Sequence, residues 1–287
     1  MLSTVQKYAS LVRFAHTVFA LPFALIGFFY AVRFEPGPFE WGVLVKVLLC
    51  MVFARNAAMG FNRYADRKID ALNPRTRCRE IPSGKIAPRQ AAVFTAVNAV
   101  LFVLTAWFIN RLAFVLSPVA LAVILGYSLT KRFTFFCHIF IGLALSIAPT
   151  GAYIAVTGKI ALVPLLLSAL VLTWASGFDI IYSLQDAEFD RRNGINSMPA
   201  RIGIRGALAV SSLLHVLTVC SVALVGLLSG GGTLYWIGAG FFVALLIYQH
   251  LIVSPKNLSR IGLAFGTVNG VASVLYAVFM IAGFYPD

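Results

Sequence analysis

The acidic residues of this chain are few, and most of them are gathered in two short stretches. Of ten Asp and Glu residues among 287, seven lie within residues 62–80 and 179–190. In the first stretch Asn62, Asp66 and Asp70 repeat every four residues, which on a helix stacks them along one face. Like charges one helical turn apart repel each other, so this spacing indicates that cations sit between the carboxylates.

The second stretch repeats the pattern. Asp179, Tyr182, Asp186 and Asp190 follow one another at intervals of three or four residues, which places them on one face of a helix. A loop containing Pro and Arg is expected after each row, at 73–77 and 197–201. Taken singly, either stretch is also compatible with a solvated helix end whose acids form surface ion pairs. Two carboxylate rows with arginines beside them favour a site for Mg²⁺ and a diphosphate, because Mg²⁺ prefers carboxylate and phosphate oxygens and Arg neutralises the remaining charge.

The elements that must position these rows are membrane-spanning helices. The chain is 60% hydrophobic and 11% charged, with a mean hydropathy of +0.88, which excludes an ordinary soluble domain. A bilayer crossing needs about 20 apolar residues. Such runs predict an all-α integral membrane protein with nine transmembrane helices around a central cavity, in a single membrane-embedded domain over 1–287. The predicted spans are roughly 11–33, 41–61, 90–110, 112–130, 134–156, 160–184, 207–229, 233–253 and 261–284.

The basic residues orient the chain in the membrane. With nine spans, eighteen Lys and Arg fall on the side that holds the N-terminus, four fall on the other side, and Arg55 lies within the second span. Cytoplasmic loops carry such an excess, so the N-terminus is predicted to be cytoplasmic. Both acidic rows then face the cytoplasm, and we expect a multi-pass protein of the bacterial cytoplasmic membrane with its active site on that side.

The remaining composition excludes several other classes. A net charge of +13 could indicate nucleic-acid binding, but the basic residues flank membrane spans, where anionic lipid headgroups account for them. We therefore expect membrane lipids and no nucleic acid among the partners. The four cysteines show no CxxC spacing, so neither a disulfide framework nor a zinc site is predicted.

The two motifs resemble those of a known family. Asn62-xxx-Asp66-xxx-Asp70 and Tyr182-xxx-Asp186-xxx-Asp190 are similar to the signature motifs of the UbiA superfamily of intramembrane prenyltransferases, which also has nine helices and carries its motifs in the 2–3 and 6–7 connections. The likeness extends to Arg13-xx-His16, Tyr127-xxx-Lys131-Arg132 and Ser197-x-Pro199. The sequence from Gly177 to Asp190 most resembles the 4-hydroxybenzoate polyprenyltransferase branch.

This resemblance implies Mg²⁺-dependent transfer of a polyprenyl chain from its diphosphate to an aromatic acceptor in quinone biosynthesis, with Mn²⁺ as a possible substitute metal. It implies that Asn62, Asp66, Asp70, Asp186 and Asp190 hold the metal. The same four aspartates and Asp179 are the predicted catalytic set. Lys131, Arg67 and Arg75 are expected to contact the diphosphate, although sequence does not rank the loop arginines.

Polar residues deeper in the spans are predicted to serve the acceptor. Arg55 lies seven residues before Asn62 on the same helical face, and an arginine within a span is expected to meet a carboxylate or phosphate of a substrate, or else an interior carbonyl or carboxylate. Asp179 is a candidate base or acceptor-orienting group, with metal ligation or a helix–helix hydrogen bond as its alternatives. Tyr127, Tyr182, Phe178 and Trp174 are expected to line a cavity that shields an allylic cation from water.

Three other functions stay open from the sequence. The same metal site would serve a different acceptor, such as a precursor in futalosine-type menaquinone synthesis. It would also serve a different donor, as in phosphoribosyl transfer to a polyprenyl phosphate. A cation transporter is the remote alternative, but it would place acids near the bilayer midplane and usually show an internal repeat.

Overall fold

The computed structural model describes residue 11 and residues 19–285. The resemblance noted at Arg13 and His16 lies outside these residues. Ten α-helices carry the described part of the chain: α1 (Leu21–Phe34), α2 (Trp41–Leu72), α3 (Pro88–Trp107), α4 (Arg111–Thr130), α5 (Cys137–Thr157), α6 (Leu162–Ser183), α7 (Ala187–Arg192), α8 (Met198–Leu228), α9 (Thr233–Ile252) and α10 (Asn269–Gly283). A 3₁₀ turn, Leu184–Asp186, joins α6 to α7, and a π-helical turn, Leu263–Val268, precedes α10.

These helices have the lengths that a membrane protein requires. Among the described residues, eight helical segments are long and apolar enough to cross a bilayer, with α6 and α7 counted together, and α1 is a shorter apolar helix. The predicted all-α membrane architecture is confirmed. The cytoplasmic location of the N-terminus stays a prediction.

Several helices extend beyond their predicted spans, and the extensions carry the motif residues. Helix α2 continues past the predicted end at 61 to Leu72, so the first acidic row lies on the same rigid helix as Arg55. The second row was expected on one unbroken helix, but the 3₁₀ turn tightens the backbone just at Asp186. The expected loop at 197–201 is instead the first turn of α8, which then breaks at Gly203 (φ 75°), a conformation that glycine adopts without strain.

Local sequence signals set several of the helix ends. The Asn110 side chain accepts a hydrogen bond from the Ala113 backbone N–H (2.9 Å) and so caps α4 immediately after the short connection from α3. Helix α5 is capped at its C-terminus by Gly158, whose φ of 65° is the left-handed conformation common at helix C-termini. These short connections keep α3 adjacent to α4, and α5 adjacent to α6.

The molecule is packed solidly on one side and is hollow on the other. Large aromatic side chains from four helices fill the solid side, with Phe23 of α1, Trp174 of α6, Phe242 of α9 and Tyr276 of α10 all fully buried. The hollow side contains a cavity of about 550 Å³ bounded mainly by α2 to α6. Connections between helices close the end of the bundle where α2, α4, α7 and α9 terminate, and the acidic rows lie at this end.

Candidate active site

The first acidic row lies at the inner face of α2, where it meets the end of α4. Asp66 is 1% exposed, and its Oδ2 accepts hydrogen bonds from Lys131 Nζ (2.6 Å) and from Asn62 Nδ2 (3.0 Å). Arg132 Nη2 lies 3.4 Å from Asp66 Oδ1. Helix α4 ends at Thr130, so the two residues that immediately follow the helix bring both cations to this carboxylate.

Asp70, one turn further along α2, is paired with a different cation. Arg79 Nη1 donates to Asp70 Oδ1 at 2.7 Å, and the carboxylate is 4% exposed. Its other oxygen, Oδ2, is buried without a hydrogen-bond partner among the described residues. A buried carboxylate oxygen without a partner is costly. It is therefore available for a further ligand.

The loop after α2 joins the first acidic stretch to the second. Arg75 donates from Nε to Asp186 Oδ1 (2.9 Å) and from Nη2 to Asp186 Oδ2, a bidentate pair, and Asn73 Nδ2 donates to the same Oδ1 at 3.0 Å. Burial lowers the pKa of the Arg75 guanidinium, but the hydrogen bond and the negative charge of Asp186 outweigh it, so this pKa is raised above its ordinary value. Arg75 therefore carries its full charge at the centre of the site.

The second row also approaches Lys131. Asp190 is 9% exposed on α7, and the ammonium charge of Lys131 acts on Asp190 as well as on Asp66. The Asn196 backbone N–H donates to the Lys131 carbonyl oxygen (2.9 Å), which ties the segment after α7 to the end of α4. The two acidic rows thus lie at one site, interleaved with Lys and Arg.

Each of these aspartates is held in a network with cations or polar groups. Among the residues that the structure describes, no group of three or more His, Cys, Asp and Glu side chains is gathered closely enough to hold a metal ion. The chemistry of the set nevertheless fits Mg²⁺, because it consists of hard carboxylate and amide oxygens and includes the orphaned Oδ2 of Asp70. For Mg²⁺ to bind these carboxylates, the Lys and Arg side chains that now pair with them must move to another anion.

Two residues predicted for the substrates are placed differently from the expectation. Arg67 donates from Nη1 to the Tyr64 carbonyl oxygen (2.6 Å), and its guanidinium lies 4.4 Å from the centre of the Tyr64 ring. Tyr182 accepts a hydrogen bond from Arg75 Nη1 (3.2 Å) and stacks on Phe265 at 4.0 Å, and it does not line the large cavity. Tyr182 therefore belongs to the acidic site.

The cavity begins where the acidic site ends. Arg55, Tyr127, Phe178 and Asp179 line it, as predicted, among mostly apolar side chains. Arg55 precedes Asn62 by seven residues and Asp179 precedes Asp186 by seven, so each lies two helical turns, about 10 Å, further into the bundle. Trp174, expected in this lining, is instead buried in the aromatic core, where its Nε1–H donates to Asn269 Oδ1 at 3.0 Å.

The structure gives a place in the site to four residues to which the sequence analysis assigned no role. Arg79, Arg132 and Asn73 bind the aspartates, and His138 Nδ1 lies 2.7 Å from Asp179 Oδ2. Arg79 is one of several loop arginines that the sequence does not rank, and the partner of His138 is 41 residues away along the chain.

Comparison with known proteins decides the family. The model of the UbiA prenyltransferase family matches residues 20–282. The chain belongs to the UbiA prenyltransferase family. It is therefore a transferase, and the predicted family is confirmed.

Named members of the UbiA family are similar over most of this chain. A 4-hydroxybenzoate octaprenyltransferase of Nitrosospira multiformis is 30% identical over 82% of this chain and 81% of its own length. The enzyme of the same name from Aliivibrio fischeri is 30% identical over 83% and 82%.

Solved structures of UbiA homologs share the fold. An apo UbiA homolog from Aeropyrum pernix covers 93% of this chain and 96% of its own, with a TM-score of 0.80 and 29% identity. A homolog from Archaeoglobus fulgidus, bound to GPP and Mg²⁺, covers 97% and 99%, with a TM-score of 0.75 and 24% identity.

Proposed function

We propose that this UbiA-family protein transfers a polyprenyl chain from its diphosphate to an aromatic acceptor that carries a carboxylate, of the 4-hydroxybenzoate type, as a step in quinone biosynthesis. The observation that carries the proposal is the continuity of two environments. A cluster of buried carboxylates and cations lies at one end of the bundle, and an apolar cavity containing Arg55 and Asp179 begins about two turns further in. The names of the curated relatives support the same reaction.

Mg²⁺ is the proposed metal, with Mn²⁺ as a substitute, and the proposed ligands are Asn62, Asp66, Asp70, Asp186 and Asp190. When bound, the metal neutralises the charge that develops on the departing diphosphate. The donor set is made of oxygen atoms alone, and Asp70 Oδ2 is a buried oxygen with no partner in the described residues. The A. fulgidus homolog of the same fold, which holds GPP and Mg²⁺, is consistent with this choice.

Arg75, Arg79 and Lys131 are the proposed diphosphate contacts. Each now binds a carboxylate of the acidic rows, and each can turn to a phosphate oxygen without leaving the site. Arg67 is the weaker candidate, because its guanidinium is held on Tyr64. The Arg75, Arg79 and Lys131 side chains can pair with the carboxylates before the diphosphate binds and with the phosphate oxygens afterwards, so that no unpaired charge is left buried.

The cavity residues serve the rest of the reaction. The apolar walls exclude water, which would otherwise capture an allylic cation. Arg55 is proposed to hold the carboxylate of the acceptor, and Tyr127 lies in the same wall. Asp179 is the proposed base that removes the ring proton after the new C–C bond has formed. Tyr182 contributes through Arg75 at the diphosphate end.

Product analysis tests this function. The purified protein is incubated with Mg²⁺, polyprenyl diphosphates of several lengths and 4-hydroxybenzoate, and products are identified by mass spectrometry. We expect a prenylated acid with release of diphosphate, and no product after chelation of the metal. Parallel reactions contain a futalosine-type precursor as acceptor, or a phosphoribosyl donor with polyprenyl phosphate. Product in one of these and none with 4-hydroxybenzoate would replace the acceptor or the donor proposed here.

A further inference from the structure

A histidine–carboxylate pair lies at the cavity wall, with the carboxylate at the cavity and the histidine buried behind it. His138 Nδ1 lies 2.7 Å from Asp179 Oδ2. The Asp179 side chain is 18% exposed and lines the cavity, whereas the His138 side chain is 4% exposed and is absent from the lining. Asp179 therefore stands between the cavity and His138, so a molecule in the cavity reaches the carboxylate first.

The contact made by His138 Nε2 determines which ring nitrogen carries the hydrogen. The Met198 backbone N–H, in the first turn of α8, points at His138 Nε2 at 3.4 Å. An N–H donor at Nε2 requires a lone pair there, so in the neutral ring Nδ1 carries the hydrogen and donates it to Asp179. This assignment follows from the hydrogen-bond network. The imidazole thereby connects the start of α5, the last turns of α6 and the start of α8.

This arrangement leaves one oxygen of Asp179 for the cavity. The hydrogen bonds of the described residues engage Oδ2 and leave Oδ1 unused. A hydrogen bond to one oxygen fixes the plane of the carboxylate and leaves the other oxygen toward the cavity. Asp179 is thus an oriented carboxylate on the wall of a mostly apolar cavity, as a base for a substrate proton must be.

We propose that His138 is a positioning residue that holds Asp179 as the base of the transfer reaction; this inference rests on the proposed function. Cleavage of the C–O bond of the prenyl diphosphate releases diphosphate and leaves an allylic cation. Attack by the acceptor on this cation forms a bond between its ring carbon and the prenyl carbon, and the ring becomes a cation with both hydrogen and prenyl group on one carbon. The C–H bond then breaks, its electron pair restores the aromatic ring, and the proton passes to Asp179 Oδ1. The His138 N–H remains on Oδ2 throughout.

The test separates proton removal from the other steps. Acceptor deuterated at the ring carbons beside the hydroxyl is compared with ordinary acceptor in the unmodified protein, in His138→Ala and in His138→Asn. In His138→Ala we expect kcat to fall at least about tenfold, part of the hundredfold or more that a positioned base contributes. A primary deuterium isotope effect on kcat should appear or increase, while KM for the prenyl diphosphate stays within about twofold.

The conservative variant and a matched control refine the result. The Asn amide nitrogen occupies nearly the position of Nδ1, so His138→Asn should restore most of kcat and remove the added isotope effect. His250→Ala removes another hydrogen bond between helices, the one between His250 Nε2 and His215 Nδ1 (2.7 Å), and neither of these residues lines the cavity. It should leave the isotope effect unchanged even if it lowers thermal stability.

The outcomes are distinct. Unchanged kcat, or a lower melting temperature with no added isotope effect, would show that His138 only joins helices and would overturn the inference. If His138→Ala is not recovered in folded form, His138→Leu fills the same space without a donor and carries the same expectation. Failure of the unmodified protein to prenylate the aromatic acceptor would instead refute the proposed function.

Discussion

Asp66 and Asp186 each hold their charge within a network of cations, and this changes how their replacement should be tested. The bare sequence suggests that removing one acid relieves repulsion in its row. In the structure, however, Asp66 accepts from Lys131 and Asn62, and Asp186 accepts from Arg75 and Asn73. Replacement by Ala would leave these donors unpaired, so Asn is the better substitute because it keeps an oxygen acceptor.

Asp66→Asn and Asp186→Asn should each lower turnover at least about a hundredfold, the scale of losing one strong electrostatic contact to developing charge. Turnover at saturating substrates, with the melting temperature in detergent, provides the measurement. Glu188→Gln is the matched control, since Glu188 belongs to the same stretch but is 63% exposed and pairs with Arg192 at 2.8 Å. Near-normal turnover in either Asp variant would remove that residue from the site.

Arg55 tests the division between donor and acceptor. Arg55→Ala should raise KM for the acceptor far more than KM for the prenyl diphosphate, because Arg55 lines the cavity about two turns away from the acidic site. Arg55→Lys should rescue poorly if a planar fork holds a carboxylate. Both Michaelis constants are measured, and the defect should shrink for acceptors that lack the carboxylate. A rise confined to the diphosphate would assign Arg55 to the other substrate.

At the scale of helices, close contact between α5 and α6 determines where Asp179 meets His138. A Cβ on Gly142 would lie 2.2 Å from Ser176 Oγ and 2.4 Å from the Leu172 carbonyl oxygen. The helices can approach this closely because small residues face each other, as is common in membrane bundles. Gly151, on the same helix, instead lines the cavity.

Gly142→Ala should therefore lower thermal stability, because the added methyl group forces α5 away from α6. Overpacking of this kind typically costs about 1–3 kcal/mol. Gly151→Ala is the matched control on the same helix, where the nearest atom to an added Cβ is Ile147 Cγ2 at 3.9 Å. The melting temperatures of both variants are measured in the same detergent. Equal values would show that the contact at Gly142 does not hold α5 and α6 together.

At the scale of the whole molecule, the orientation in the membrane is open to a direct test with native cysteines. Cys78 is exposed in the loop that follows the first acidic row, whereas Cys50, Cys137 and Cys220 lie on helices α2, α5 and α8. The charge distribution predicts that this loop is cytoplasmic. The thiols on the spans are expected to react poorly with a reagent confined to water.

A membrane-impermeant maleimide should therefore label Cys78 in inverted vesicles and not in intact spheroplasts. The extent of labelling is measured by mass spectrometry, and Cys78→Ser supplies the background from the other three thiols. Labelling of Cys78 in intact spheroplasts, with none in inverted vesicles, would place the acidic site on the opposite face of the membrane.

The sequence by itself determined the class, the approximate spans and the identity of most acidic-site residues. Each of these depends on local patterns: runs of apolar residues, the excess of Lys and Arg on alternate connections, and acids at helical spacing. The Asn62, Asp66 and Asp70 row lies on one helix as predicted, because four-residue spacing fixes a common face wherever the helix is placed.

The tertiary structure alone decided which partners these residues have. Arg75 meets Asp186 across 111 positions and Lys131 meets Asp66 across 65, while His138 meets Asp179 across 41. Trp174 lies in the core and not in the expected cavity wall, because the rotation of α6 about its axis directs this side chain toward Asn269. Such pairings depend on the rotation and separation of helices distant in sequence, and helix packing sets both quantities through contacts that no local pattern records.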